Sequence, residues 1–220
     1  MKLTEKFQIE RREQAQRENF VELTHEDIEL LRYLLPFMER HVDGIVAQFY
    51  AHLLKYSEAR AFFKDEESLS RMKSAQREYL LDLFRGNYGD DYYENRLQLG
   101  VAQVQIGLLP KWYLGSNSKL LCLIVSLLAQ KYRLRPQKLA RYILALNKVM
   151  NLDQQLIIDT YIGTLLEQQK GSEKLPKQMK HSVGILVSSP SEILATAEEV
   201  QQIHPGRQPE GEIHFRERAG

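Results

Sequence analysis

The segment LQLGVAQVQIGLLPKWYLGS, Leu97 to Ser116, is apolar on two sides rather than one. At about 100° per residue of a helix, Leu97, Val101, Val104 and Leu108 share one face, and Leu99, Ala102 and Ile106 share the opposite one. Arg96, Gly100, Gln103 and Gly107 fill the flank between them. A helix apolar on two sides is buried on two sides. Glycines on the third flank leave room for a close approach. The spacing therefore predicts a helix sandwiched in a core, with Gln103 in the middle of an open strip.

Helical spacing continues in both directions. Upstream, Thr24 and Asp27 form a capping box ahead of Ile28, Leu31 and Leu35. Pro36 is expected to end or kink that helix. Phe37, Val42, Ile45, Phe49, Leu53 and Leu54 mark the next one. A helix opening at Ser68 or Ser70 runs through SRMKSAQREYLLDLF to a turn at GNYGDD. Downstream, Pro110 breaks the chain, a long apolar helix covers about Leu114 to Tyr132, and another covers about Gln137 to Gln169. No stretch between residues 20 and 170 alternates with period two for long enough to make a strand. The expected fold is all-α, with six to eight helices.

Bulk properties narrow the function classes. A 220-residue chain suffices for one well-buried domain and an appendage. With a net charge of +1 it has no electrostatic attraction for nucleic acid or an anionic surface. A single cysteine, Cys122, excludes an internal disulfide framework and suits a reducing cytoplasm. Its apolar neighbours, LLCLIVSLLA, make it an expected core thiol. That run, Leu120 to Ala129, is about half of what a bilayer needs, so no membrane insertion is expected. The six histidines show no metal-ligand spacing, and no G-x-S-x-G, phosphate loop, H-E-x-x-H or C-x-x-C is present. An enzyme is not expected.

The ends differ in character. Residues 1–20 read as a polar N-terminal extension ahead of a domain at 21–170. Beyond it, Met179, Val183, Leu186, Pro190, Ile193, Ala197 and Val200 step by fours and threes, a heptad seam. Residues 171–203 are thus expected as a helical connector to a signalling module, a short hairpin folded on the domain being the other reading. Residues 204–220, rich in proline, glycine and arginine, are expected to be disordered. Tyr50, within QFYAHLL, reads by itself as a core tyrosine whose hydroxyl bonds a backbone carbonyl.

The segment NRLQLGVAQVQIGLLPKWYLGS resembles the signature of the globin-coupled sensors, sensory globins of the aerotaxis-transducer type. The likeness extends through FYAHLL, SRMKSAQREYLLDLFRGNYGDDYYENRL and NLDQQLIIDTYI, covering about residues 25–168. It implies a globin fold followed by a helical linker, and a homodimer through the two C-terminal globin helices. It also implies an attached or partner signalling domain, a haem b cofactor, and gas sensing as the function. By this resemblance the cofactor site comprises Tyr50, Met72, Ala75, Gly100, Gln103, Gly107, Trp112 and Tyr113. Tyr50 matches the tyrosine that stabilises a distal ligand, and Gln103 stands where the family carries the histidine that binds iron. An amide is a poor substitute for imidazole. No histidine occurs in residues 92–112 to replace it, and His52 lies about 200° around the helix from Tyr50. The implied function is a gas-sensing globin with altered or lost haem ligation; the alternative is a haem-free sensor of another apolar ligand or a dimerising regulatory module.

Overall fold

A computed structural model describes residues 1–63 and 65–171, with side chains through residue 167. Residues 1–168 form one compact unit. Among the described residues there are eight helices and no strand: α1 (Leu3–Lys6), α2 (Arg11–Phe20), α3 (His25–Leu53), α4 (Ser57–Arg60), α5 (Glu66–Arg85), α6 (Asp90–Gln105), α7 (Pro110–Lys131) and α8 (Pro136–Gly171). The expected linker at 171–203, apart from its first residue, and the expected disordered tail at 204–220 lie outside the described residues.

Local chemistry sets most boundaries. Asp27 N–H donates to the Thr24 hydroxyl at 3.2 Å while the Asp27 carboxylate accepts from Thr24 N–H at 2.9 Å, the reciprocal box that opens α3. Asp65 opens α5 in the same way, accepting from Ser68 N–H at 2.6 Å, so that helix starts before Ser68 rather than at it. At its end Gly86 takes φ +69°, the left-handed conformation that closes a helix most cheaply without a Cβ. A Cβ there would also lie 2.8 Å from Ile28 and closer still to Arg32. Pro110 and Pro136 are first residues of α7 and α8, where a missing N–H costs nothing.

Pro36 does not interrupt its helix. α3 runs 29 residues straight through it. An interior proline costs roughly 3 kcal/mol. Here it sits on the solvent side, where water can bond the carbonyl left without a donor. On the other side Leu31, Leu34, Met38, Val42, Ile45, Phe49 and Tyr50 form one unbroken buried stripe, chiefly against α5. A break would bury two short stripes less well than one long one.

Two further expectations change. Residues 1–20 fold onto the domain instead of standing outside it. The Glu94 carboxylate on α6 accepts from the N–H groups of Leu3 and Thr4 at 2.8 and 2.9 Å. Ile9 is 1% exposed in the main core, Phe7 packs where a Cβ on Gly163 would lie, and Arg17 pairs with Asp159 at 2.7 Å. The polar pattern concealed this because the apolar anchors, Phe7 and Ile9, are few and the other contacts are made by backbone N–H groups and Arg17. Cys122 is exposed, not a core thiol. α7 buries Tyr113, Asn117, Leu120, Ile124 and Leu128, and Cys122 lies on its outer side. Of the described helices, only α7 is long and apolar enough to cross a membrane by composition, with a mean hydropathy of 1.3. Lys111, Lys119 and Lys131 punctuate it, and its inner side packs against α3.

α6 is held between the others by a buried charge. Arg96 is 1% exposed and Asp153 on α8 is 0% exposed. Arg96 Nε donates to Asp153 Oδ2 at 2.9 Å, and the Tyr92 hydroxyl donates to Oδ1. The guanidinium lies between the rings of Tyr79 and Tyr92, 4.6 and 4.2 Å from their centroids, a cation–π sandwich. Burial pulls the guanidinium pKa down, yet the neighbouring carboxylate holds it above its usual value. Burial pushes the Asp153 carboxyl up, against the pull of Arg96, Tyr92 and Tyr79.

Candidate functional site

Between α3, α5, α6 and α7 lies a cavity of about 320 Å³. The end of α3 supplies Phe49, Tyr50 and Leu53, and the α4 turn supplies Ala59, Phe62 and Phe63. α5 contributes Met72, Ala75, Gln76 and Tyr79; α6 and its C-terminal end contribute Leu99, Ala102, Gln103 and Ile106. Leu108 and the first half of α7, with Trp112, Tyr113, Ser116, Asn117 and Leu120, close the remaining side. No lining side chain carries a charge.

Tyr50, Met72, Ala75, Gln103, Trp112 and Tyr113 thus line one cavity. Gly100 and Gly107 do not. Gly100 faces α8, where a Cβ would fall 2.3 Å from the Thr160 hydroxyl oxygen. Gly107 takes φ +75° just beyond α6 and shapes the turn to α7. The small-residue strip along α6 is therefore split by its surroundings. Arg96 and Gly100 meet α8, Gln103 turns to the cavity, and the open wall is the Leu99, Ala102 and Ile106 face.

Four lining residues of consequence, Gln76, Tyr79, Asn117 and Phe63, were not singled out by the sequence. Gln76 follows Met72 by one helical turn, a spacing that could have flagged it. Nothing local marked Asn117.

The polar atoms are sparse and unsatisfied. Gln103 Oε1, Gln76 Nε2 and Asn117 Oδ1 are all buried without a hydrogen-bond partner. Buried orphans of this kind are uncommon, since each forfeits its hydration. Asn117 Nδ2 donates to the Tyr113 hydroxyl at 3.3 Å, so only its carbonyl is free. The Tyr50 hydroxyl has no described partner, contrary to the expected backbone carbonyl. Burial pushes its pKa to about 12, so it remains a neutral phenol. Its ring meets Phe63 edge-on at 5.6 Å, and Lys73 approaches its face at 6.0 Å. His52 does not reach the cavity and instead contacts Tyr56 at 5.3 Å.

The donor set does not suit an iron porphyrin. Haem iron is held by imidazole, thiolate, thioether with imidazole, or phenolate. The lining residues contain neither the imidazole that ordinarily holds globin iron nor a thiol, and Met72 has no imidazole partner across the cavity. The walls are apolar and rich in rings, and the metal would lack its usual anchor.

The sequence matches the Protoglobin family model over residues 10–167. It is similar to the haem-based aerotactic transducer HemAT of Halobacterium salinarum, 26% identical over 210 residues that make up 91% of this chain and 43% of that protein. The chain thus spans less than half of that relative's length. Its fold is similar to the globin domain of the Geobacter sulfurreducens globin-coupled sensor, with a TM-score of 0.64 and 24% identity, covering 67% of this chain and 96% of that domain. The all-α globin fold expected from the sequence is therefore the fold observed.

Proposed function

Since the chain belongs to the Protoglobin family, we propose that it is the ligand-sensing domain of a signal-transduction protein of the aerotaxis-transducer type, and that its pocket has lost iron ligation. The observation that carries this is Gln103 Oε1, a buried, unpartnered amide oxygen on a cavity-lining residue, at the position where the resemblance expects the iron-binding histidine. The relative named as haem-based supports the sensory role and the ancestry of the pocket. The uncharged lining, without carboxylate, lysine or histidine, supports binding rather than catalysis.

Titration of purified protein with haemin, followed by absorbance, tests the reading. The expected spectrum is broad, that of free or loosely held haemin. A sharp Soret band that shifts on addition of carbon monoxide to the reduced protein would overturn it. The apolar, ring-rich walls favour one second reading, in which porphyrin is retained by burial alone at about 25 cal/mol per Å². That reading gives a stoichiometric haemin complex whose iron lacks an imidazole signature.

The domain works as a homodimer through α7 and α8 in this proposal. Leu114 and Leu144 are 42% and 59% exposed, and Cys122 shares the outer side of α7. An exposed free thiol also favours a reducing, cytoplasmic setting. Sedimentation is expected to show a dimer that Leu144→Glu converts to monomer, because a carboxylate would be desolvated at the seam. A wild-type monomer at micromolar concentration would count against it.

Signal leaves along α8. A ligand that displaces α6 pulls on α8 through Arg96–Asp153 and through the tight Gly100–Thr160 contact. Packed helices respond to such shifts by switching between discrete arrangements.

A further inference from the structure

The three unpartnered amide atoms and the ring-rich walls together specify more than an apolar occupant. We propose that the cavity between α3, α5, α6 and α7 binds an uncharged, planar aromatic molecule carrying at least one hydrogen-bond donor and one acceptor, of the lactam or aromatic-amide class. This rests on the reading above, that no ligated iron fills the site.

Charge is excluded by the walls. An ion placed there would lose its water and meet no countercharge, since none of the lining side chains is ionised. Lys73, over the outer face of Tyr50, is near but does not line the cavity. Shape follows from the rings. Tyr50, Phe63, Tyr79, Trp112 and Tyr113 approach from α3, the α4 turn, α5 and α7, and aromatic faces and edges pair best with another flat π-system. Size follows from the volume. About 320 Å³ lies at the small end of cavities that enclose organic ligands, roughly 300–1,000 Å³.

The polar requirement follows from the orphans. Gln76 Nε2 on α5 offers a donor; Gln103 Oε1 on α6 and Asn117 Oδ1 on α7 offer acceptors. Asn117 is 2% exposed and lines the cavity, its amide nitrogen donates to Tyr113, and its carbonyl has no partner. A purely apolar guest would leave all three amide atoms without partners, and a guest with one donor and one acceptor can pair two of them. Sites built around buried hydrogen-bonding groups reject analogues that lack the matching group. A lactam presents an N–H and a C=O on one rigid ring, and it remains neutral near pH 7.

The test uses the whole chain and three probes built on one bicyclic ring system: 2-quinolone (donor and acceptor), quinoline (acceptor only) and quinoline-2-carboxylate (charged). Calorimetric titration near neutral pH measures affinity. Trp112, the only tryptophan in the sequence, reports location through its fluorescence. The expected result is saturable one-to-one binding of 2-quinolone with quenching of Trp112, at least about tenfold tighter than quinoline, with no measurable binding of the carboxylate. Gln103→Leu is expected to reduce that discrimination to within about threefold. Equal affinity for 2-quinolone and quinoline, tighter binding of the carboxylate, or no saturable binding of any probe would each overturn the proposal. If Gln103→Leu loses its helical circular dichroism, Asn117→Leu, which removes the other acceptor, and the wild-type probe series still decide. A sharp Soret band in the haemin titration would remove the underlying reading; probe failure without one removes this inference alone.

Discussion

Asp153→Ala is expected to destabilise the domain by about 3–5 kcal/mol, the cost of leaving one member of a buried ion pair without its partner. The Arg96 guanidinium would keep its charge in a site that is 1% exposed, with only the carboxylate of Asp82 at 3.5 Å remaining. The Tyr92 hydroxyl would lose its acceptor as well. Urea unfolding followed by circular dichroism measures the change. A loss below about 1 kcal/mol would mean that the pair is solvated and that α6 and α8 are not tied through it. The double variant Arg96→Met, Asp153→Leu separates charge from packing. It is expected to recover most of the loss, because apolar replacement of both partners removes the desolvation cost along with the attraction. The Tyr79 ring packs on the Arg96 guanidinium and Tyr79 lines the cavity, so the same variant also loosens a wall of the ligand site.

Gln103→His is expected to give the domain tight haem binding. The substitution places an imidazole where the chain now has a buried, unpartnered amide, in a cavity whose walls are already apolar. Axial ligation by imidazole is the ordinary anchor of globin iron. Haemin affinity should rise on the order of a hundredfold, about 2.8 kcal/mol, with a sharp Soret band absent from the wild type. Spectrophotometric titration of both proteins provides the comparison. An unchanged spectrum would show that the site can no longer accommodate a porphyrin whatever residue stands at 103. The variant also bears on the neutral-ligand proposal, since the new side chain replaces one of its acceptors.

The candidate site was partly legible. The IGLLPKWYLG motif carried the family, and it led to Tyr50, Met72, Ala75, Gln103, Trp112 and Tyr113, which the fold brings around one cavity. Gly100 and Gly107 were misplaced for a definite reason. A glycine in sequence says only that something approaches closely, and at Gly100 that something is Thr160 of α8 rather than a ligand. Asn117 was invisible because a polar residue on an apolar helix signals a buried partner without saying which.

The amino-acid sequence by itself determined the long helices and some of their ends, such as the start of α3 and the stop of α5, because a capping box and a glycine-rich turn act within a few residues. It also determined that position 103 offers an amide. The tertiary structure alone decided which side of α6 faces the cavity, that α3 passes through Pro36, that residues 1–20 join the domain, and that Cys122 lies on the outside. Those outcomes depend on how helices are turned toward one another. Periodicity fixes the faces of a single helix, but only its neighbours fix what each face meets.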